Sequence, residues 1–236
     1  MQKCIVPISG GLDSTTILHL AKKREMEIHA ISFNYGQRHL NRELDCAEKQ
    51  VEAVGVASWK TLDITFFKDV ANTSSLTNDT IEVADARDVV GDPQTVNYVP
   101  NRNMMMLSIC AAYAESMQAT TVFHGAALVD SMAGFWDGSP EFLQSINDLL
   151  SLNRRDRVTV ECPLITMSKE QIILKAILLG ADLGDTWTCY RGGDAACGYC
   201  TACSSRLQGF IAAGYIDPIP YDRQDIPWEQ KGAKAI

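Results

Sequence analysis

The chain has 236 residues, 46% of them hydrophobic, which suits one α/β domain with a small appendage and a substantial core. Its 21 lysines and arginines against 29 aspartates and glutamates leave a formal net charge of −8, which counts against electrostatic binding of long nucleic acid but not against a nucleotide site. No stretch approaches the roughly 18 consecutive apolar residues of a membrane span, the N-terminus lacks a signal-peptide layout, and the expected compartment is the cytoplasm.

Residues 4–8 form a short apolar, β-branched run, as expected of a buried strand in a parallel sheet. Ser9, Gly10 and Gly11 predict a tight turn. Asp13 and Ser14 are suited to cap a helix over 15–24, whose apolar stripe is Ile17, Leu18, Leu20 and Ala21. Strand, turn and helix start gather free backbone N–H groups at the positive end of a helix dipole, a site for a phosphate group. The Walker A and Rossmann glycine patterns are both absent. The pattern present, S-G-G-x-D-S, is the pyrophosphate-binding loop (PP-loop) of enzymes that cleave ATP between its α and β phosphates. A plain strand-to-helix turn needs two glycines and a cap, not a serine on each side.

A second strand is predicted over 27–33, a helix over 41–54 with Leu44, Ala47, Val51 and Val54 on one face, and a third strand over 59–64. This alternation of strand and helix predicts an α/β fold, a doubly wound parallel sheet covered on both faces. From 65 to 100 the periodicity lapses through the turn-rich stretches 72–79 and 91–99, which read either as a mobile flap over the site or as a surface excursion. Helix returns over 101–117, with Met105, Met106, Ile109 and Ala112 expected inward. A strand over 120–124 ends in Gly125. Ser139 and Pro140 open a helix whose apolar face is Phe142, Leu143, Ile146, Leu149 and Leu150. A further strand spans 158–164, and Ser168 with Gln171 forms a capping box for a helix ending at Gly180. The tail after Asp217, with prolines at 218, 220 and 227, is expected to wrap the surface.

Four of the eight cysteines, Cys4, Cys46, Cys110 and Cys162, are scattered through apolar or helical segments as ordinary buried thiols. The others, Cys189, Cys197, Cys200 and Cys203, are spaced C-x7-C-x2-C-x2-C. Adjacent ligands two residues apart can reach one tetrahedral ion, and the glycine-rich interval lets the chain return with the fourth. Zinc is the preferred reading, with an iron–sulfur cluster and oxidised thiols as alternatives. Four protein ligands leave no open position, so the role is structural.

With both motifs in view, the chain resembles the 7-cyano-7-deazaguanine synthase (QueC) family over nearly its whole length. The resemblance rests on SGGLDST at 9–15, YGQRH at 35–39, VPNRN at 99–103, the stretch 125–130, PLITMSKEQ at 163–171, and TCY with CGYCTAC within 188–203. It implies an adenine nucleotide α-hydrolase-like fold with a PP-loop domain over 1–185. A four-cysteine zinc segment and tail over 186–236 would pack on that domain, and the family is commonly a homodimer. It further implies adenylylation of the carboxylate of 7-carboxy-7-deazaguanine with release of pyrophosphate, then attack by ammonia. A second ATP would turn the resulting amide into a nitrile.

By the same resemblance, Ser9, Gly10, Gly11, Leu12, Asp13, Ser14 and Thr15 would hold ATP and its Mg2+, with Tyr35, Gln37 and His39 beside them. Arg38, Arg102 and Lys169 would supply the cations around the phosphates or the adenylate, with Asp13 and Ser14 as catalytic partners. Gly125, Asp130, Phe135, Trp136, Asp137 and Glu141 would face the deazaguanine. No side chain need be a covalent nucleophile, so catalysis would be positioning and charge stabilisation.

The sequence departs from the family in places. Leu12 stands where glutamine is usual and Asn101 where glycine is usual. The stretch 130–142 is one residue longer at its start than the family's D-[YF]-S-G-Y-P-D-C-R-x-E-F, with Trp136 for proline and Gly138-Ser139 for the Cys-Arg pair. That change is expected to leave the acceptor end of the pocket larger and less positive. It leaves room for a second expectation, a QueC-like antiphage-defence enzyme that joins the deazaguanine to an amine of a partner protein. A tRNA-modifying PP-loop enzyme is disfavoured by the acidic charge and by the lack of a basic appended domain.

Overall fold

The apolar run near the start of the chain becomes the central strand of a five-stranded parallel sheet. In the computed structural model, β1 (Lys3–Pro7), β2 (Glu27–Asn34), β3 (Ser58–Asp63), β4 (Thr121–Phe123) and β5 (Thr159–Glu161) lie in the order β3-β2-β1-β4-β5. The structure describes residues 1–89, 92, 94–153, 155, 157–223, 225–226 and 233–236. Gly91 and Pro93 of the turn-rich stretch and Pro227 of the tail lie outside the described residues.

Alternate residues of the strands feed two separate cores, which is why they read as continuous apolar runs. Cys4, Val6, Ile28, Ala30 and Phe123 pack on one face against α1 (Leu12–Lys23), α2 (Leu40–Val54), α7 (Lys169–Leu178) and α8 (Thr201–Ala213). Ile5, Ile31, Val122 and Val160 pack on the other against α4 (Arg102–Met117) and α6 (Pro140–Leu150). β1 pairs with β2 on one side and β4 on the other, so the winding reverses there. A crevice opens at the carboxyl ends of strands at such a switch point, the usual place for a ligand in an open α/β sheet.

Several local expectations shift. α1 begins at Leu12, with Gly11 as N-cap and no side chain capping it, so Asp13 and Ser14 sit inside the first turn. The strands expected over 120–124 and 158–164 shorten to three residues each. On α4 the buried face is Leu107, Cys110, Ala111 and Ala114, while Ala112 is exposed. Leu149 of α6 is 65% exposed. Asn101 precedes α4 at φ +55, a left-handed conformation that asparagine tolerates and that the glycine expected from the resemblance would adopt freely.

The caps predicted at Ser139 and Ser168 hold. Phe142 N donates to Ser139 Oγ at 3.1 Å, and Gln171 N to Ser168 Oγ at 3.3 Å. Among its described residues, the segment 65–100 carries a single short helix, α3 (Phe67–Val70), and one 3-10 turn at Ala86–Asp88. Ser74, Ser75, Leu76, Thr95 and Asn97 of that segment are nonetheless buried. The tail after Asp217 runs along the surface, with Pro218, Pro220, Asp222 and Asp225 exposed, but is pinned where Ile219 is buried and Ala196 bridges Tyr221. None of the helices among the described residues is long and apolar enough to cross a membrane.

Candidate active site

The turn after β1 is braced by its own serines. Ser9 Oγ and Ser14 Oγ are 3.1 Å apart, Gly11 N donates to Ser9 Oγ at 3.3 Å, and Ser14 Oγ donates to Gly11 O at 3.1 Å. With no side chain capping α1, its leading N–H groups point to whatever occupies the crevice. Gly10 sits at φ +72, and a Cβ there would lie 2.6 Å from Ala47 N and Glu43 O. Only glycine lets the loop close down on α2. From the other side, Trp187 N donates to Gly10 O at 2.9 Å.

The loop opens into a cavity of about 410 Å³. Of the residues expected at the nucleotide, Ser9, Gly11, Leu12, Asp13, Ser14, Tyr35, Gln37 and His39 line it, as do Arg102 and Lys169. Gly10 and Thr15 lie behind the wall. Thr15 is fully buried, and its Oγ1 has no hydrogen-bond partner. Lys169 Nζ donates to both oxygens of Asp13, at 2.9 and 2.7 Å, so a cation and a carboxylate neutralise each other at the loop.

Arg38 is turned elsewhere. Its Nη2 donates to Asn78 O and Ile81 O, both at 2.7 Å, and its Nε lies 3.3 Å from Asp79. It fastens the 65–100 segment, which reaches the cavity through Asn97, Tyr98 and Val99.

Of the residues expected at the deazaguanine, Gly125, Asp130, Phe135 and Asp137 line the cavity, whereas Trp136 and Glu141 do not. Trp136 Nε1 donates to Tyr98 Oη at 2.8 Å, tying this loop to the 65–100 segment. Ala127 N donates to Asp130 Oδ2 at 2.8 Å, closing the start of the short helix α5 (Leu128–Met132). Burial raises the carboxyl of Asp130 above its ordinary range, and does the same for Asp137. Gly138 packs on Asp130 so closely that a Cβ would be 2.8 Å from the Asp130 Cβ, and Ser139 caps α6. The altered pair is thus used in packing this loop.

Arg102 adds a positive charge to the wall, and its Nη1 donates to Tyr35 Oη at 3.2 Å. Burial opposes its charge, but Tyr35, Tyr190 and Asp137 around it outweigh that and hold it protonated. The sequence alone did not single out Glu43, His124, Tyr98, Trp187, Tyr190, Thr201, Ser205 or Arg206, all on the wall. Glu43 alone carried a signal, one helical turn after His39.

The four clustered cysteines converge: all are buried, and their Sγ atoms lie within 4.8 Å of one another. A tetrahedron with arms of about 2.3 Å has edges of about 3.8 Å, and the Cys197–Cys203 Sγ distance is 3.9 Å. Backbone N–H groups of Tyr199 and Cys200 donate to Cys197 Sγ at 3.4 Å, which suits thiolates around one ion. Among the described residues it is the one group of three or more metal-ligating side chains so gathered.

These parts can be set against known proteins. The 7-cyano-7-deazaguanine synthase of Marinobacter nauticus is 42% identical over 219 residues, covering 93% of this chain and 97% of that one. The 7-cyano-7-deazaguanine synthase of Thermoplasma acidophilum is 40% identical over 228 residues, covering 94% and 93%. The solved U34-tRNA thiolase NcsA of Methanococcus maripaludis superposes with a TM-score of 0.49 at 19% identity, over 77% of this chain and 57% of that one. The model of the queuosine biosynthesis protein QueC matches residues 3–214, which takes in the loop, the cavity wall and all four clustered cysteines. The chain belongs to the QueC family.

Proposed function

We propose that the chain is a 7-cyano-7-deazaguanine synthase, an ATP-dependent C–N ligase. It adenylylates the carboxylate of 7-carboxy-7-deazaguanine, releases pyrophosphate, forms the amide with ammonia, and dehydrates the amide with a second ATP. A carboxylate is a poor electrophile, and AMP turns its oxygen into a leaving group. The observation that carries this is one cavity joining the uncapped start of α1 to Arg102, Asp130 and Asp137, in a chain whose full-length relatives are named as synthases.

The loop N–H groups and Lys169 hold the phosphates, with Mg2+ shielding their charge, and Lys169 exchanges its Asp13 partner for them. Arg102 faces the acyl end. The converged thiolates hold a structural zinc. The names of the relatives favour ammonia as nitrogen donor over an amine of a partner protein, and the family resemblance supports a homodimer.

Mass spectrometry of products from ATP, 7-carboxy-7-deazaguanine and ammonia tests the reading. AMP, pyrophosphate and the nitrile are expected. ADP and phosphate, or a deazaguanine recovered only as an adduct on protein, would overturn it.

A further inference from the structure

One wall of the cavity carries an acid–base pair that phosphate binding does not use. His39 is 3% exposed, lines the cavity, and its Nδ1 is buried without a hydrogen-bond partner in the protein. Its Nε2 lies 3.5 Å from Glu43 Oε1, one turn further along. Gln37 Nε2 donates to Glu43 Oε2 at 2.9 Å and fixes the carboxylate. Burial works against the charge on Glu43, but His39, Gln37 and Arg102 outweigh it and hold the carboxyl below its usual range. Tyr190, from the segment next to the cysteine cluster, lies against the imidazole with 5.5 Å between ring centroids. The groups shown against the ring are thus Glu43 from α2 and Tyr190 from that segment, while Arg102 of α4, bonded to Tyr35, acts on Glu43. A carboxylate on one ring nitrogen and an unpaired second nitrogen is the layout of an oriented base.

We propose that His39, oriented by Glu43, is the proton acceptor for the nitrogen nucleophile, an assignment that rests on the activity proposed above. In amide formation the lone pair of ammonia makes the new C–N bond to the acyl carbon. The bond from that carbon to the AMP oxygen breaks, and its electron pair leaves with AMP. One proton passes from the nitrogen to His39 Nδ1, and Glu43 stabilises the imidazolium. In dehydration the amide nitrogen gives up two protons as the C–O bond to the second AMP breaks and the nitrile forms. The same ring accepts them in turn and passes each to water.

The test compares two reactions of the full chain and of His39→Asn and Glu43→Gln. One is exchange of labelled pyrophosphate into ATP, dependent on 7-carboxy-7-deazaguanine and run without ammonia. The other is single-turnover amide formation with ammonia. His39→Asn is expected to slow amide formation by about 10²- to 10³-fold, a loss at least about tenfold larger than any in the exchange. Glu43→Gln keeps the side-chain shape, so it carries the test where loss of the buried imidazole unfolds the chain. It is expected to slow amide formation by at least about tenfold, a loss several-fold larger than any in the exchange. Equal losses in both reactions overturn the proposal, as does amide formation at the wild-type rate. Absence of the exchange from the wild-type chain overturns the proposed activity, and the proton-acceptor role with it.

Discussion

His124 and Asn101 show how much a single side chain owes to its surroundings. His124 is buried at the end of β4, with its Nε2 3.2 Å from Asp137 O, and burial pushes its pKa from 6.5 down to about 4. The unfolded chain therefore takes up a proton near pH 6.5 that the folded chain refuses until about pH 4. The unfolding free energy falls as pH drops through that window, by at most about 3 kcal/mol. Asp130 and Asp137 act in the opposite sense. Their folded pKa values are raised above 3.8, so their contribution is complete below that value and is lost as pH rises through the raised ones. Urea unfolding of His124→Asn is expected to show a flatter acid side between pH 6.5 and 4. A loss as steep as the wild type's would mean that another group is responsible. Asn101 carries a left-handed backbone in place of the glycine usual in the family, which no spacing rule reveals.

Among the elements, the phosphate loop and α2 behave as one unit. The loop's shape is set less by its serines than by the close approach of Gly10 to the backbone of Glu43 and Ala47. Gly10→Ala must adopt a left-handed conformation and also push α2 away. The cost is about 3 kcal/mol, combining left-handed strain with overpacking. Equilibrium unfolding is expected to show that loss, and ATP binding is expected to weaken with it. A variant of wild-type stability would show that the loop can relax without α2. α8 was not legible in advance, because its apolar period is interrupted by cysteines and serines that serve the cluster and the cavity. Its Arg206 is fully buried and satisfied by Asp217, Thr186, Thr188 and the carbonyl of Leu183. α4 was placed correctly, and Met105, Met106 and Ile109 pack on the core as expected, but Ala112 is exposed and the most deeply buried residues are Leu107, Cys110, Ala111 and Ala114.

For the molecule as a whole, the cysteine cluster is a clamp on the site. Cys200 is the N-cap of α8, whose Thr201, Ala202, Ser205 and Arg206 line the cavity. Trp187, two residues before Cys189, holds Gly10, and Ala86 N donates to Tyr199 O at 2.9 Å, anchoring the 65–100 segment. The segment 186–236 thus forms part of the wall it was expected only to pack against. Removing the proposed zinc with a strong chelator is expected to lower the melting temperature by about 10 °C or more and to weaken ATP binding, since the four gathered thiols lose the ion that ties their segments together. Metal analysis should return one zinc per chain. A chelated protein that melts and binds ATP as before would reduce the cluster to an ornament of the fold.

Motifs whose geometry is local were readable from the residues in order. The S-G-G-x-D-S turn, the Ser139 and Ser168 caps, the β/α alternation and the cysteine spacing depend on neighbours within about ten positions. Arg38 and Arg102 looked alike by that measure, each a cation inside a motif. They part company because Arg38 meets the carbonyls of residues 78 and 81, whereas Arg102 reaches Tyr35 on the cavity wall. Likewise Trp136 and Glu141 fell outside the cavity while Tyr98, Tyr190 and Arg206, from three distant segments, came in. Contacts across such separations are selected by packing and by the need to satisfy buried polar groups, and no periodicity in a single strand or helix encodes them.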